Sequence, residues 1–195
     1  MKIFIKSVFL FALFLFCSAY LNAETFQNIC KDGTLQVVMK AVKEGGDVNG
    51  LTKDLQTPLM QASKYNNPEV VQFLIEAGAR VNAKDEKGRT ALMYACEENR
   101  NVEVVNVLIR KNADVNAADN EGKTALMYAC GSNPNIKITA ALVEAGADVK
   151  AKTKTGLKPL DYAEKNENKK SAALIKTILL QAGAASQDLS DLEKI

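Results

Sequence analysis

Few groups in this sequence could carry chemistry. None of its 195 residues is histidine, which removes Ser-His-Asp triads, Cys-His dyads, imidazole bases and His-ligated zinc together. The remaining acid-base candidates are Glu97 beside Glu98, and Asp161 near Lys165. Adjacent carboxylates on an exposed helix face form a solvated surface, and catalysis needs a dry, shaped site. Beyond Cys17, the cysteines Cys30, Cys96 and Cys130 are spaced too widely for a metal site. The sequence therefore reads as a non-enzyme with no cofactor and no metal. Lys and Arg number 25 against 23 Asp and Glu. With Lys2 and Lys6 set aside the remainder balances, so the body lacks the basic footprint of a nucleic-acid binder. Apolar residues make up 47%, a globular composition for one or two small domains.

The first residues read as an export leader. Met1 to Lys6 carries two lysines, Val8 to Phe16 is an unbroken apolar run, and Ala19 and Ala23 supply small residues for a signal peptidase. That run is barely half of the roughly 20 residues a spanning helix needs. Bulky Phe16 before Cys17 disfavours lipidation there. Residues 1–23 are thus a signal peptide cut after Ala23, with Ala19 as second choice. The mature chain then starts at Glu24 in an oxidising compartment, periplasmic or secreted.

The elements that must position any surface chemistry follow a period of about 33 residues. Thr57-Pro-Leu-Met-Gln-Ala-Ser63 recurs as Thr90-Ala-Leu-Met-Tyr-Ala-Cys96, Thr124-Ala-Leu-Met-Tyr-Ala-Cys130 and Lys158-Pro-Leu-Asp-Tyr-Ala-Glu164. A second amphipathic pattern follows in phase: Glu69-Val-Val-Gln-Phe-Leu-Ile75, Glu103-Val-Val-Asn-Val-Leu-Ile109 and Lys137-Ile-Thr-Ala-Ala-Leu-Val143. Gly78-Ala-Arg-Val-Asn-Ala83, Asn112-Ala-Asp-Val-Asn-Ala117 and Gly146-Ala-Asp-Val-Lys-Ala151 close the units, followed by turn glycines Gly88, Gly122 and Gly156. Thr57, Thr90 and Thr124 read as N-caps of the first helices, and Asp85 and Asp119 as caps of the turns before Gly88 and Gly122.

These units resemble ankyrin repeats, whose Thr-Pro-Leu-His-x-Ala opening, turn-plus-two-helices unit and 33-residue period they match. Met60, Met93 and Met127 stand where that family prefers histidine, so apolar packing must replace its hydrogen bonds. The resemblance implies an all-α solenoid of helix-turn-helix units with β-hairpin-like turns, about four to five repeats including caps. The boundaries are an N-terminal cap over 24–56, repeats over 57–89, 90–123 and 124–157, a C-terminal cap over 158–186 and a tail over 187–195, frayed or folded back as a short helix. Cys30, Cys96 and Cys130 share one repeat position, where the family favours alanine, and read as free, buried thiols.

The resemblance also implies a protein partner on the concave surface, built from turn tips and the outward faces of the first helices. With Leu92, Ala95 and Cys96 inward, Tyr94 shares the other face with Glu97 and Glu98; the matching sets are Gln61, Lys64 and Tyr65, then Tyr128, and then Tyr162. Tyr94, Tyr128 and Tyr162 form a row suited to hot-spot contacts, or else to packing between repeats. The tips add Lys84, Glu86 and Arg89, then Asn120 and Lys123, then Lys154. The last tip is purely basic, with Lys150, Lys152, Lys154 and Lys158 before any acid, which suits an acidic partner, an anionic membrane or a solvated edge. The expected molecule is a monomer acting outside the cytoplasm, binding another protein, with no nucleic acid and no stable membrane insertion after cleavage. The alternatives are a secreted effector binding host proteins and a membrane-tethered scaffold with an uncleaved leader.

Overall fold

The computed structural model describes residues 22–166 and 168–192; of the leader expected over residues 1–23, residues 1–21 lie outside the described residues. Ten helices occur among them: α1 Ala23–Asp32, α2 Leu35–Lys43, α3 Pro58–Tyr65, α4 Pro68–Glu76, α5 Ala91–Glu98, α6 Val102–Arg110, α7 Ala125–Ser132, α8 Ile136–Glu144, α9 Pro159–Lys165 and α10 Lys169–Leu192. They alternate between two layers. The inner helices α1, α3, α5, α7 and α9 stack in series, and the outer helices α2, α4, α6, α8 and α10 stack behind them. The first nine helices are short, and several have their ends specified by capping residues. Thr57 and Thr90 accept from the backbone N–H of Met60 and Met93, proline opens α3, α4 and α9, and Asn67, Asn101 and Asn135 cap α4, α6 and α8. Thr124 departs from the expectation: it sits at the N-cap of α7, but its buried hydroxyl makes no hydrogen bond.

The core is the seam between the layers, where Leu59, Leu92, Leu126, Leu74, Leu108 and Leu142 are essentially fully buried, each such side chain contributing about 1.5–3 kcal/mol. Met60, Met93 and Met127 are buried too, and the Met60 sulfur also accepts from the Thr57 N–H at 3.4 Å, so packing is not its whole contribution. Cys30, Cys96 and Cys130 are free and buried. Burial pushes the Cys30 and Cys130 thiols up to about 12 and raises Cys96 as well.

Two asparagine ladders tie unit to unit. At the inner-helix ends, the Asn66 side-chain amide donates to the Cys30 and Gly33 carbonyls, Asn99 to those of Ser63 and Asn66, Asn133 to those of Cys96 and Asn99, and Asn166 to that of Cys130. Behind the tips, Asn49, Asn82 and Asn116 each donate to one carbonyl and accept from one N–H of the next unit. The tips add a third tie: the N–H groups of Glu86, Asn120 and Lys154 donate to the carbonyls of Asp54, Lys87 and Glu121.

At the C-terminus α10 runs unbroken from Lys169 to Leu192. The helix runs through the boundary expected at 186. The helix packs on α8 and α9. No described helix is long and apolar enough to cross a membrane.

Candidate functional site

The concave side carries the candidate site, and its geometry repeats with the units. With each tip counted with the helix pair that follows it, the third unit's Asp85 carboxylate divides its two oxygens. Oδ1 accepts from the N–H groups of Lys87 and Arg89, and Oδ2 accepts from the Tyr94 hydroxyl at 2.7 Å. The fourth unit repeats this: Asp119 Oδ1 accepts from Glu121 and Lys123, and Oδ2 from the Tyr128 hydroxyl at 2.7 Å. Burial, and then donation to an aspartate, raise the pKa of both phenols.

Cations interleave with the rings. The Arg89 guanidinium lies 4.0 Å from the Tyr94 centroid and 4.8 Å from that of Tyr128, while Lys64 stands 4.7 Å from Tyr65 and 5.8 Å from Tyr94. Lys31 lies 4.8 Å from Tyr65, and Lys123 lies 6.0 Å from Tyr128. Each contact is worth about 0.5–1 kcal/mol where exposed and about 2 kcal/mol where desolvated. Ion pairs complete the row: Lys64 with Glu98 at 3.0 Å, Arg89 with Glu97, and Lys123 with Glu121 at 2.7 Å. Burial works against the Lys64 ammonium, but Tyr65 and Glu98 outweigh it and its pKa rises. The neighbouring carboxylates Glu97 and Glu98 are thus held by two different cations. Asp161 accepts from the Lys158 N–H at 2.6 Å, and no ion pair joins it to Lys165 among the described residues.

Three hollows follow one another along this face. The first, about 570 Å³, lies between α1 and the tip of the second unit and includes Gln61, Tyr65, Lys53 and Asp54. The central one, about 580 Å³, is lined by Glu86, Lys87, Arg89, Glu97, Asp119, Asn120, Glu121, Lys123 and Tyr128. The third, about 390 Å³, joins Asn120, Glu121, Lys123, Thr153, Lys154, Thr155 and Tyr162. Among the described residues, none of α10 lines any of them. Several residues singled out from the sequence are already engaged within the chain. Tyr94 is only 6% exposed and also accepts from the Gln56 amide, Lys84 donates to the Ala118 carbonyl, and Lys64 and Glu98 pair with each other.

The row of three tyrosines is not uniform. Nine residues before Tyr162 stands Thr153 instead of an aspartate, and its single hydroxyl oxygen already accepts from the Leu157 N–H. Where Arg89 and Lys123 sit in the preceding units, the fifth has Leu157. Among the described residues the Tyr162 hydroxyl has no hydrogen-bond partner. A Cβ added at Gly131 would lie 3.4 Å from Tyr162 Cδ1, an ordinary van der Waals contact with the ring. The Asp85–Tyr94 and Asp119–Tyr128 couplings escaped the sequence reading, which gave the aspartates only turn duty. The constant spacing of nine residues was the available signal.

A family model described as ankyrin repeats (3 copies) matches residues 26–119 and 99–188. Similar proteins include the phosphocholine transferase AnkX of Legionella pneumophila, 36% identical over 84 residues, which is 41% of this chain and 9% of that protein. The ankyrin repeat and KH domain-containing protein mask-1 of Caenorhabditis elegans is 43% identical over 67 residues, 34% of this chain and 2% of that protein. Ankyrin repeat domain-containing protein 63 of Homo sapiens is 50% identical over 46 residues, 22% of this chain and 12% of that protein. The chain thus spans a small part of the length of each of these relatives.

Proposed function

The chain belongs to the ankyrin-repeat family, whose repeats are protein-protein interaction modules, and from that premise we propose that it is a non-catalytic binding module whose concave groove takes a partner protein outside the cytoplasm. The observation that carries this reading is the run of three hollows along one face, lined by tip and inner-helix side chains. Ladders on both edges make the groove preformed, so a partner meets it with little rearrangement. The open, solvent-facing hollows offer no enclosed site for turnover.

The test is cross-linked capture of partners from the native compartment by three charge-reversed variants, one per hollow: Lys53→Glu, Lys87→Glu and Lys154→Glu. Among the described residues none of these side chains has an ion pair, so each variant keeps its helical content and melting temperature. Capture falls at least tenfold in one or more. Full capture by all three, with folding intact, refutes the groove. Export is tested separately by fractionation and by the mass of the mature N-terminus. Cleavage after Ala23 would remove Asn22, whose side chain caps α1, whereas cleavage after Ala19 would keep it. A mass retaining Met1 would instead favour a tethered scaffold.

A further inference from the structure

The third hollow differs from the central one in a way the repeat itself exposes. In two consecutive units an aspartate, a cation and a tyrosine close on one another within the chain: Asp85, Arg89 and Tyr94, then Asp119, Lys123 and Tyr128. In the fifth unit the same three positions hold Thr153, Leu157 and Tyr162. The tyrosine is kept while its acceptor and its cation are both replaced. The hydroxyl therefore stands as a donor without an acceptor at the wall of a 390 Å³ hollow that also carries Lys123 and Lys154. Lys154 and Lys152 have no ion pair among the described residues, and Glu121 is already taken by Lys123. The charge left over at this end of the groove is positive.

We propose that this hollow binds an aspartate or glutamate side chain of an acidic partner segment, which supplies to the Tyr162 hydroxyl the acceptor that Asp85 and Asp119 supply to Tyr94 and Tyr128. The incoming carboxylate takes one hydrogen bond from Tyr162 and faces the Lys154 ammonium, a charge-assisted arrangement stronger than a neutral one. Solvent-facing lysines on the same tip steer the acidic segment in and make binding salt-dependent. This rests on the groove being the binding face, and it names the partner chemistry at one end of it.

The variant that tests it is Thr153→Asp, which gives the fifth tip the residue the third and fourth already carry and so keeps the fold. Its carboxylate captures Tyr162 internally and repels an incoming acid. Titration of the 15N-labelled full chain with the acetylated, amidated peptide (Gly-Glu)4 at low salt is expected to shift the amides of Lys123, Lys154, Thr155 and Tyr162. The glutamine counterpart (Gly-Gln)4 leaves them in place. Tyr162→Phe weakens the glutamate peptide roughly fivefold to tenfold, and Thr153→Asp weakens it more than tenfold. Thr153→Asp also raises the melting temperature, a gain that Tyr162→Phe cancels.

Equal binding of the two peptides, shifts that cluster elsewhere, or wild-type affinity in Thr153→Asp each overturn the proposal. So does binding to phosphatidylserine-containing vesicles with none to the peptide. The two readings fail separately: if Lys53→Glu and Lys87→Glu lose the native partner while Thr153→Asp retains it, the groove stands and the carboxylate site falls. If the peptide binds as described but no groove variant affects native capture, the reverse holds.

Discussion

Replacing Asn99 by alanine tests whether the asparagine ladder or the apolar seam couples the units. Asn99 is 7% exposed. Its amide donates to the Ser63 and Asn66 carbonyls at 3.0 Å each, and its Oδ1 accepts from the Asn101 N–H at 2.9 Å. Alanine removes three hydrogen bonds of about 1 kcal/mol net each and leaves two inward-facing carbonyls without their donor, a further cost where water cannot reach them. The expected loss is about 3 kcal/mol or more, a fall in melting temperature of roughly 6–12 °C. Asn101→Ala is the control, because it deletes only an exposed N-cap worth about 1 kcal/mol. Since Asn99 joins the third unit to the second, its loss weakens an interface term in a nearest-neighbour stack, and the urea transition broadens as the N-terminal units come away first. Asn99→Asp keeps the acceptor but turns a carboxylate toward two carbonyl oxygens. It should lose more than Asn99→Ala at pH 7 and regain part of that toward pH 4. Equal costs for Asn99→Ala and Asn101→Ala would refute the ladder as the coupling element.

Two further expectations follow from the core and the tips. The buried thiols of Cys30 and Cys130 titrate near 12 in the folded chain against about 9 when unfolded. Because the folded state holds these protons more tightly, their contribution is fully present below pH 9 and is lost as pH rises from 9 to 12. Urea midpoints measured across that range should fall, and Cys30→Ala with Cys130→Ala should flatten the slope; an unchanged slope would show that the thiols are not desolvated. At the tip of the second unit, Leu55 holds φ 59° where the other tips have glycine, a conformation costing roughly 1–2 kcal/mol for a residue with a Cβ. Its side chain is 45% exposed and loses little on removal, so Leu55→Gly should raise stability by up to about 1 kcal/mol after the added freedom of the unfolded chain is counted. A lower melting temperature would mean that the leucine packs better than its exposure implies.

Much of this architecture was legible because it is periodic. The recurrences of Thr-Pro/Ala-Leu-Met, of the Val-Val helices and of the closing glycines report backbone geometry that each unit must repeat, so the helix pairs and tips could be placed from spacing alone. What escaped is the chemistry linking one unit to the next. Asn66, Asn99, Asn133 and Asn166 recur three places after Ser63, Cys96, Cys130 and Ala163, but a polar residue at a helix end reads as an ordinary cap until the neighbouring unit's carbonyls are in place. Thr124 shows the opposite error, a residue of the right type at the right position whose hydroxyl finds no N–H. Tyr94 fell between the two. Helical geometry put it on the groove side, but the Asp85 carboxylate and the Arg89 guanidinium that cover it come from the tip, nine and five residues earlier.

The middle and the end of the groove therefore differ in what a partner can gain. At Tyr94 and Tyr128 the hydroxyl already donates to an aspartate, so a partner acceptor there would exchange one hydrogen bond for another with little net change, and Asp85 or Asp119 would lose its donor. Those rings can offer only the edges and faces that Arg89 and Lys123 leave uncovered. At Tyr162 no internal bond has to be broken, and the tip supplies net positive charge. A partner that adds an acceptor there gains a full charge-assisted bond. Discrimination among partners is then concentrated in the fifth unit, while the third and fourth supply a rigid platform of stacked rings and cations. The order of sensitivities is the consequence: Thr153 and Lys154 substitutions should change which segments bind, and Asp85 or Asp119 substitutions should change mainly how firmly the platform is held.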